Sequence, residues 1–408
     1  IVSSTINRVW NMAEKSGMGV DKLIVFVDEL NKYAPSGGEG GLRDTLVDIA
    51  ARGRHLHVVL LGAQQFRSKV DGEILGYTEA IGIRPLREAI ADHHRRVDGV
   101  EVTADDVVVT TGSSGGFTVL FLAAFDPGDT VVMARPGYPA YRNTLQALGC
   151  RVHEIACGPG TRYQPTVAQL EAVTVELGHP PAGLIVASPA NPTGTIIDAA
   201  ELAALARWCE AHGTLLVSDE IYHGVTYGRE CASAWRTSRE SVVMGSVSKY
   251  FSMTGWRIGW MLLPRYLGAP VDRLIGNLTI CPPAHAQFAA VAAFTEDSAA
   301  ELDSHVERYA RNRELVLRRL AGLGVGETAP PDGAFYTYFD VSQWTDDSVA
   351  WCAEILERTG VALTPGVDFD TVDGRHTVRL SFAGDTAEIA EAMDRLEAVL
   401  VPRQPPTG

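Results

Sequence analysis

Between about Val107 and Leu263 short apolar runs alternate with helical patterns, and this alternation constrains the fold more than any other feature. The runs are Val107-Val108-Val109-Thr110, Thr130-Val131-Val132-Met133, Gly183-Leu184-Ile185-Val186, Thr214-Leu215-Leu216-Val217 and Ser241-Val242-Val243-Met244. Amphipathic stretches separate several of them; in Ala199 to His212, Leu202, Leu205, Ala206 and Cys209 share one face. Continuous β-branched runs joined by helices form a mainly parallel sheet covered on both faces. Turn signals fall between the elements at Asp126-Pro127-Gly128-Asp129, Pro136-Gly137 and Asn191-Pro192-Thr193-Gly194. Past about Ser298 the pattern becomes α+β: a long helix over 299–320, the segment 333–339, a helix over 348–359, a strand over 376–382 and a closing helix over 386–400.

With 408 residues, 46% of them hydrophobic, the chain is long enough for two or three domains. The pattern divides it into a segment 1–75, a large α/β domain 76–300, a smaller α+β domain 301–402 and a disordered tail 403–408 rich in proline. A net charge of -15 argues against a protein that coats nucleic acid. Six scattered cysteines, without a Cys-x-x-Cys pair or a His cluster at metal spacing, point to free thiols in a reducing compartment and to no metal. No basic leader and no apolar run approaching ~20 residues is visible, so a cytoplasmic protein without a membrane segment is expected.

The chemistry centres on Lys249 in Ser246-Val247-Ser248-Lys249, followed by Gly255-Trp256-Arg257-Ile258-Gly259-Trp260. The amine can form a Schiff base with an aldehyde while Ser246 and Arg257 hold a phosphate, and pyridoxal 5'-phosphate carries both groups. Asp219 ends an apolar strand, where ligands of parallel sheets bind, and can pair with a protonated pyridine nitrogen. An isolated Ser-Asp-Glu at such a junction equally suits a helix N-cap. Tyr222 and Asn191 are candidates for the ring oxygen. The Gly/Ser loop Thr111-Gly112-Ser113-Ser114-Gly115-Gly116 opens a helix and offers N–H groups to a phosphate. Tyr138 can stack on a flat ring or fill the core. Arg379, inside an apolar strand, requires an anionic partner, either a structural carboxylate or the α-carboxylate of a substrate.

Taken together and in register, Asn191-Pro192-Thr193-Gly194, Asp219 to Tyr222, Ser246 to Lys249, Arg257 and Arg379 resemble the class I/II aminotransferases of the aspartate aminotransferase fold (fold type I), from about Gly76 to Leu400. The resemblance implies a PLP large domain and a smaller C-terminal domain. It further implies that Lys249 carries the cofactor as an aldimine and shuttles the proton at the substrate α-carbon. Asp219 would pair with the ring nitrogen, Tyr222 and Asn191 would contact the ring oxygen, and Tyr138 would stack on the ring. Ser113, Ser114, Gly115, Ser246 and Arg257 would surround the phosphate, Arg379 would bind the substrate carboxylate, and Tyr77 would reach the phosphate of the partner in a homodimer. Burial and Arg257 would lower the lysine pKa, as a general base needs. The implied reaction moves an amino group from an amino acid to a 2-oxo acid. Elimination or decarboxylation by the same lysine and aspartate is the alternative.

Residues 1–75 depart from this pattern. Leu23-Ile24-Val25-Phe26-Val27-Asp28-Glu29, Asp48 to Arg54 and Leu61-Gly62-Ala63-Gln64-Gln65 resemble the Walker B region of HerA-type P-loop ATPases. No Gly-x-x-x-x-Gly-Lys-Ser/Thr loop occurs in the chain, so ATP hydrolysis is not expected. A segment of this kind in place of the aminotransferase N-terminal arm implies a fusion with impaired dimerisation and activity.

Overall fold

The computed structural model describes residues 76–400 and, in the first seventy-five, the backbone of two strands, β1 (Leu23–Val27) and β2 (Val58–Gly62). The chain divides into two compact units, Ile1–Tyr77 and Thr78–Gly408. In the first unit β1 and β2 pair in parallel, Leu23 opposite Val58 and Val27 opposite Gly62. Asp28, Glu29, Gln64 and Gln65 lie outside the described residues, as does the tail 403–408.

The second unit is built on a seven-stranded sheet of order β3-β9-β8-β7-β6-β4-β5. Its strands are β3 (Val107–Thr111), β4 (Thr130–Arg135), β5 (Arg151–Ala156), β6 (Gly183–Ala187), β7 (Leu215–Asp219), β8 (Val242–Ser246) and β9 (Ile258–Leu262). All neighbours run parallel except β9, which is antiparallel to β3 and β8. The run-by-run reading therefore places five of the seven strands. It misses β5, a half-exposed edge strand without a continuous apolar run. It also misses β9, because Gly255 and Gly259 read as turn signals around Arg257. Gly259 has a different purpose: a Cβ there would stand 2.5 Å from Ser113 N, so only glycine lets β9 pass against the Gly112–Ser113 backbone.

Helices α1 (Arg84–Val97), α2 (Gly112–Ala124), α3 (Pro139–Ala147), α4 (Val167–Leu177), α5 (Ala199–His212), α6 (Arg265–Leu278) and α7 (Ala284–Ala293) cover the sheet. Helix α5 matches the sequence reading residue for residue; Asp198 caps it by accepting from Ala200 N, and Gly213 ends it at φ +68°. Two apolar layers result. One holds Leu86, Ile90, Val109, Leu184, Leu205 and Trp260, the other Phe121, Val131, Met133, Ile185, Val217 and Met261. Side chains of opposite parity along each strand enter opposite layers.

Helix α8 (Glu296–Gly322) starts earlier than its periodicity suggests, because Thr295 caps it by accepting from Ser298 N and Glu296 and Asp297 favour its positive end. It leads to a three-stranded antiparallel sheet, order β10-β12-β11, of β10 (Tyr336–Asp340), β11 (Thr364–Pro365) and β12 (Thr377–Ser381). Helices α9 (Ser348–Thr359) and α10 (Thr386–Val399) complete a third core with Val316, Phe339, Ile355, Val378 and Phe382. Among the described residues no helix is long and apolar enough to cross a membrane, and all six cysteines are free.

Candidate active site

A cavity of about 430 Å³ opens at the carboxyl ends of the central strands, lined by Ser113, Ser114, Tyr138, Asn191, Asp219, Tyr222, Lys249, Arg257 and Arg379 among others. Residues spread over more than 260 positions of sequence meet here because β7 and β8 deliver Asp219 and the Lys249 turn side by side, at the place parallel sheets bind ligands.

Asp219, the last residue of β7, is completely buried. No helix follows it, so it is not an N-cap; its Oδ1 accepts from Ile221 N at 3.2 Å and its Oδ2 accepts a hydrogen bond from the Tyr141 hydroxyl. Burial raises its pKa to about 6, against the opposing pull of Tyr141, the Ile221 amide and Lys249. A buried carboxyl of this kind favours a cationic partner such as a protonated ring nitrogen. Lys249 Nζ lies 5.3 Å from the centre of the Tyr222 ring and 5.8 Å from that of Phe335. Burial lowers its pKa and Arg379 and Arg257 add to this, while Asp219 opposes them. Burial also holds the Tyr222 phenol well above its ordinary value, and its hydroxyl lies 2.9 Å from that of Tyr336.

The phosphate end is the start of α2. No side chain caps this helix, which leaves the N–H groups of its first turn directed at the cavity mouth. Gly112 stands at φ +69°, and a Cβ there would meet Arg257 Nη2 at 2.5 Å. The guanidinium thus packs on bare backbone beside the amides, as an anion cradle requires. Arg257 itself is left-handed at φ +56° and donates to Thr254 O at 2.9 Å.

At the opposite side Arg379 donates from Nη1 to Asn191 Oδ1 (2.7 Å) and from Nη2 to Thr364 Oγ1 (3.2 Å). Its guanidinium lies over the rings of Tyr336 (4.2 Å) and Phe369 (4.8 Å), and its buried Nε has no hydrogen-bond partner. Among the described residues no carboxylate pairs with it, so it is not half of a structural ion pair. A cation held only by neutral partners fits an incoming carboxylate.

Two expected phosphate contacts, Ser246 and Gly115, do not line the cavity. Ser246 is buried, its hydroxyl donating to Ile258 O (3.3 Å) and accepting from Ser248 N (3.1 Å). Gly115 lies one step further into α2. Tyr77, expected at the phosphate of a partner, is 80% exposed. Ser248 and Thr254 line the cavity instead, tied by a Thr254 Oγ1 to Ser248 O hydrogen bond of 2.9 Å. Tyr138 is half-buried at the start of α3, its ring edge-on to Tyr141 at 5.4 Å. The sequence reading assigned no role to Tyr141, Tyr336, Ser248 or Thr254; only Ser248, beside the lysine, carried a positional signal.

Behind the site the fold assembles Asp98, Glu220 and His223, with ligand atoms within 4.8 Å of one another, which residue spacing could not reveal. His223 Nδ1 lies 3.2 Å from Asp98 Oδ1 and 3.7 Å from Glu220 Oε2. Burial alone pulls the His223 pKa down, yet Glu220 and Asp98 outweigh it and the net shift is upward. The imidazole is thus held between two carboxylates, next to the Asp219–Tyr222 turn.

Residues 50–396 match the family described as Aminotransferase class I and II. The valine--pyruvate aminotransferase of Mycobacterium tuberculosis is 54% identical over 324 residues, 79% of this chain and 82% of that protein. The aspartate/prephenate aminotransferase of Thermus thermophilus is 35% identical over 328 residues, 79% and 83% of the two chains. A crystal structure of an aminotransferase from Mycobacterium tuberculosis superposes with a TM-score of 0.78 at 48% identity, covering 98% of this chain and 96% of that one.

The chain belongs to the class I and II aminotransferases. It is a pyridoxal-phosphate-dependent transaminase, and the anion cradle at α2, the buried Asp219 and the Lys249 amine fit the phosphate, ring nitrogen and aldehyde of that cofactor. The family match begins at residue 50, ahead of Gly76, so part of the segment read as ATPase-like falls within it.

Proposed function

We propose that this transaminase takes its amino group from a small neutral aliphatic amino acid, with valine the first choice, and passes it to a 2-oxo acid such as pyruvate. The cavity's cations carry this reading. Among the described lining residues Arg257 faces the phosphate end and Arg379 the substrate carboxylate, and no further arginine is left for a side-chain carboxylate. The remaining wall includes Phe117, Ala140, Ile221 and Pro189, which suit a branched hydrocarbon. The valine--pyruvate relative supports the same donor. Stopped-flow absorbance of the bound cofactor with a panel of donors tests it: valine should convert it faster than aspartate, and the reverse order would overturn the assignment.

Arg379 receives the α-carboxylate and Asn191 holds the guanidinium in plane. With the cofactor bound, Asp219 would pair with the ring nitrogen, Tyr222 and Asn191 would meet the ring oxygen, and Tyr138 would cover the ring. Ser113, Ser114, Arg257 and the α2 amides hold the phosphate, with Ser248 and Thr254 on the same wall. When bound, pyridoxal 5'-phosphate supplies an electron-withdrawing ring that accepts the electron pair of the breaking α-C–H bond. Lys249 Nζ, its basicity lowered by burial and the two arginines, takes the α-proton and returns it one atom away. Elimination and decarboxylation remain chemically open to the same groups, and release of ammonia or carbon dioxide from valine would reveal them.

We further read the chain as a homodimer in which Tyr77 of each subunit reaches the other's phosphate. Its exposure, and that of Trp256, Leu278 and Ile280, supports this, and sedimentation would test it. We keep the division into 1–75, 76–300 and 301–402; the presence of two separate sheets in the second unit supports a large and a small domain, with α8 crossing between them. Residues 1–75 keep our reading as an ATPase-like αβ fragment without hydrolysis, supported by the parallel β1–β2 pair. Phosphate release from ATP above background would count against it.

A further inference from the structure

Tyr336 touches residues at both working ends of the cavity, Arg379 and Tyr222. It opens β10, opposite Ser381 of β12, while Tyr338 stands opposite Arg379. Tyr336 and Arg379 are therefore diagonal neighbours across an antiparallel pair, within reach for an aromatic and a long side chain. The Arg379 guanidinium lies 4.2 Å from the centre of the Tyr336 ring, and Tyr336 is itself 7% exposed. Its hydroxyl meets that of Tyr222 at 2.9 Å, and Tyr222 presents its ring to Lys249 Nζ.

In-plane partners hold only one side of the guanidinium. Asn191 and Thr364 take one proton each from Nη1 and Nη2, and Nε is unpartnered. The guanidinium also lies over two rings, Tyr336 at 4.2 Å and Phe369 at 4.8 Å, and these contacts restrain the tilt of its plane. A bidentate grip on a carboxylate depends on that plane. At the other end, two facing phenols share one hydrogen bond, and the cation on the face of Tyr336 makes Tyr336 the better donor. Tyr222 then accepts from Tyr336 and its own proton is free to be donated into the cavity.

We propose that Tyr336 is a positioning residue for the transamination: its ring fixes the plane of the Arg379 guanidinium, and its hydroxyl orients the Tyr222 phenol beside Lys249. Donor binding and proton transfer thereby depend on one side chain. The inference rests on the transaminase reading above. The charged and titratable groups that face Tyr222 are Tyr336, Asp219, Arg379, Tyr141 and Lys249, and Tyr336→Phe alters only the first of them.

Two variants separate the two roles in the holoenzyme, after thermal melting has established that both fold. Tyr336→Phe keeps the ring face and loses the hydroxyl; Tyr336→Leu loses both. Calorimetric titration with isovalerate, an inert carboxylate with the valine skeleton, should give wild-type affinity within about twofold for Tyr336→Phe and about tenfold weaker binding for Tyr336→Leu. The pH midpoint of the bound cofactor's absorbance should rise by about half a unit in Tyr336→Phe, since Tyr222 loses the donor that directs its proton inward. An unchanged or lowered midpoint overturns the hydroxyl role. Wild-type isovalerate binding by Tyr336→Leu overturns the ring role. Borohydride reduction of the wild-type protein keeps the two levels apart: a missing adduct on the Lys249 peptide would defeat the transaminase reading itself, whereas an adduct with unchanged variants defeats only the role of Tyr336.

Discussion

Tyr141, in the first turn of α3, donates its hydroxyl to the Asp219 carboxylate at the end of β7. The pair joins two elements whose residues are 78 positions apart in sequence. Burial drives Asp219 towards its neutral form, and the phenol is the strongest of the contacts that hold it ionised.

Removing that hydroxyl should therefore weaken the cofactor at neutral pH. A hydrogen bond to a charged group is worth about 1.5–3 kcal/mol, so Tyr141→Phe should raise the Asp219 pKa from about 6 by roughly one unit or more. The affinity of the apoprotein for pyridoxal 5'-phosphate, measured against pH, should begin to fall at a correspondingly higher pH than in the wild type. An acid limb that stays in place would show that Tyr141 does not control Asp219.

The same carboxyl makes the cofactor-free protein sensitive to pH in an unusual sense. Its folded pKa, about 6, exceeds the ordinary 3.8, so the folded state binds the proton more tightly than the unfolded chain. Its contribution to stability is fully present below about pH 4 and is lost as pH rises through 6. Two units correspond to roughly 3 kcal/mol. Asp219→Asn, which stays neutral, should make the apoprotein more stable at pH 8, by up to this amount in chemical denaturation, while cofactor affinity falls. Lower stability of the variant at pH 8 would contradict the account.

Lys249→Ala should abolish amino transfer, with a loss of about 10²–10⁴-fold or more in the half-reaction. Cofactor binding should survive in part through Arg257 and the α2 amides. Single-turnover absorbance with valine, beside equilibrium dialysis of the cofactor, reads both effects. Full activity in the variant would rule out the lysine as the base.

Arg379→Gln should raise the donor KM far more than it lowers cofactor affinity, because the guanidinium contacts Asn191, Thr364 and two rings and pairs with no carboxylate among the described residues. A charge-assisted bidentate contact accounts for about 2–3 kcal/mol, or roughly thirty- to hundred-fold in KM. Equal losses in donor and cofactor binding would argue that Arg379 is structural.

The sequence by itself determined the large sheet and the reactive core of the site. Five β-branched runs marked five strands, because strands buried on both faces leave no room for polar alternation. Lys249, Asp219, Tyr222, Asn191, Arg257 and Arg379 were legible because each is a chemically expensive residue placed at a strand end or inside an apolar strand. The tertiary structure alone decided the rest. Strand β9 was hidden by Gly259, which spares the Gly112–Ser113 backbone a clash rather than making a turn. Ser246 turned inward to its own backbone neighbours, and Ser248 and Thr254 took places on the wall. Tyr141, Tyr336 and the Asp98–Glu220–His223 cluster gained their roles from contacts across 78, 114 and 125 residues, between Tyr141 and Asp219, Tyr222 and Tyr336, and Asp98 and His223. Local pattern reports which face of an element is buried; it carries no record of which distant side chain will arrive against that face.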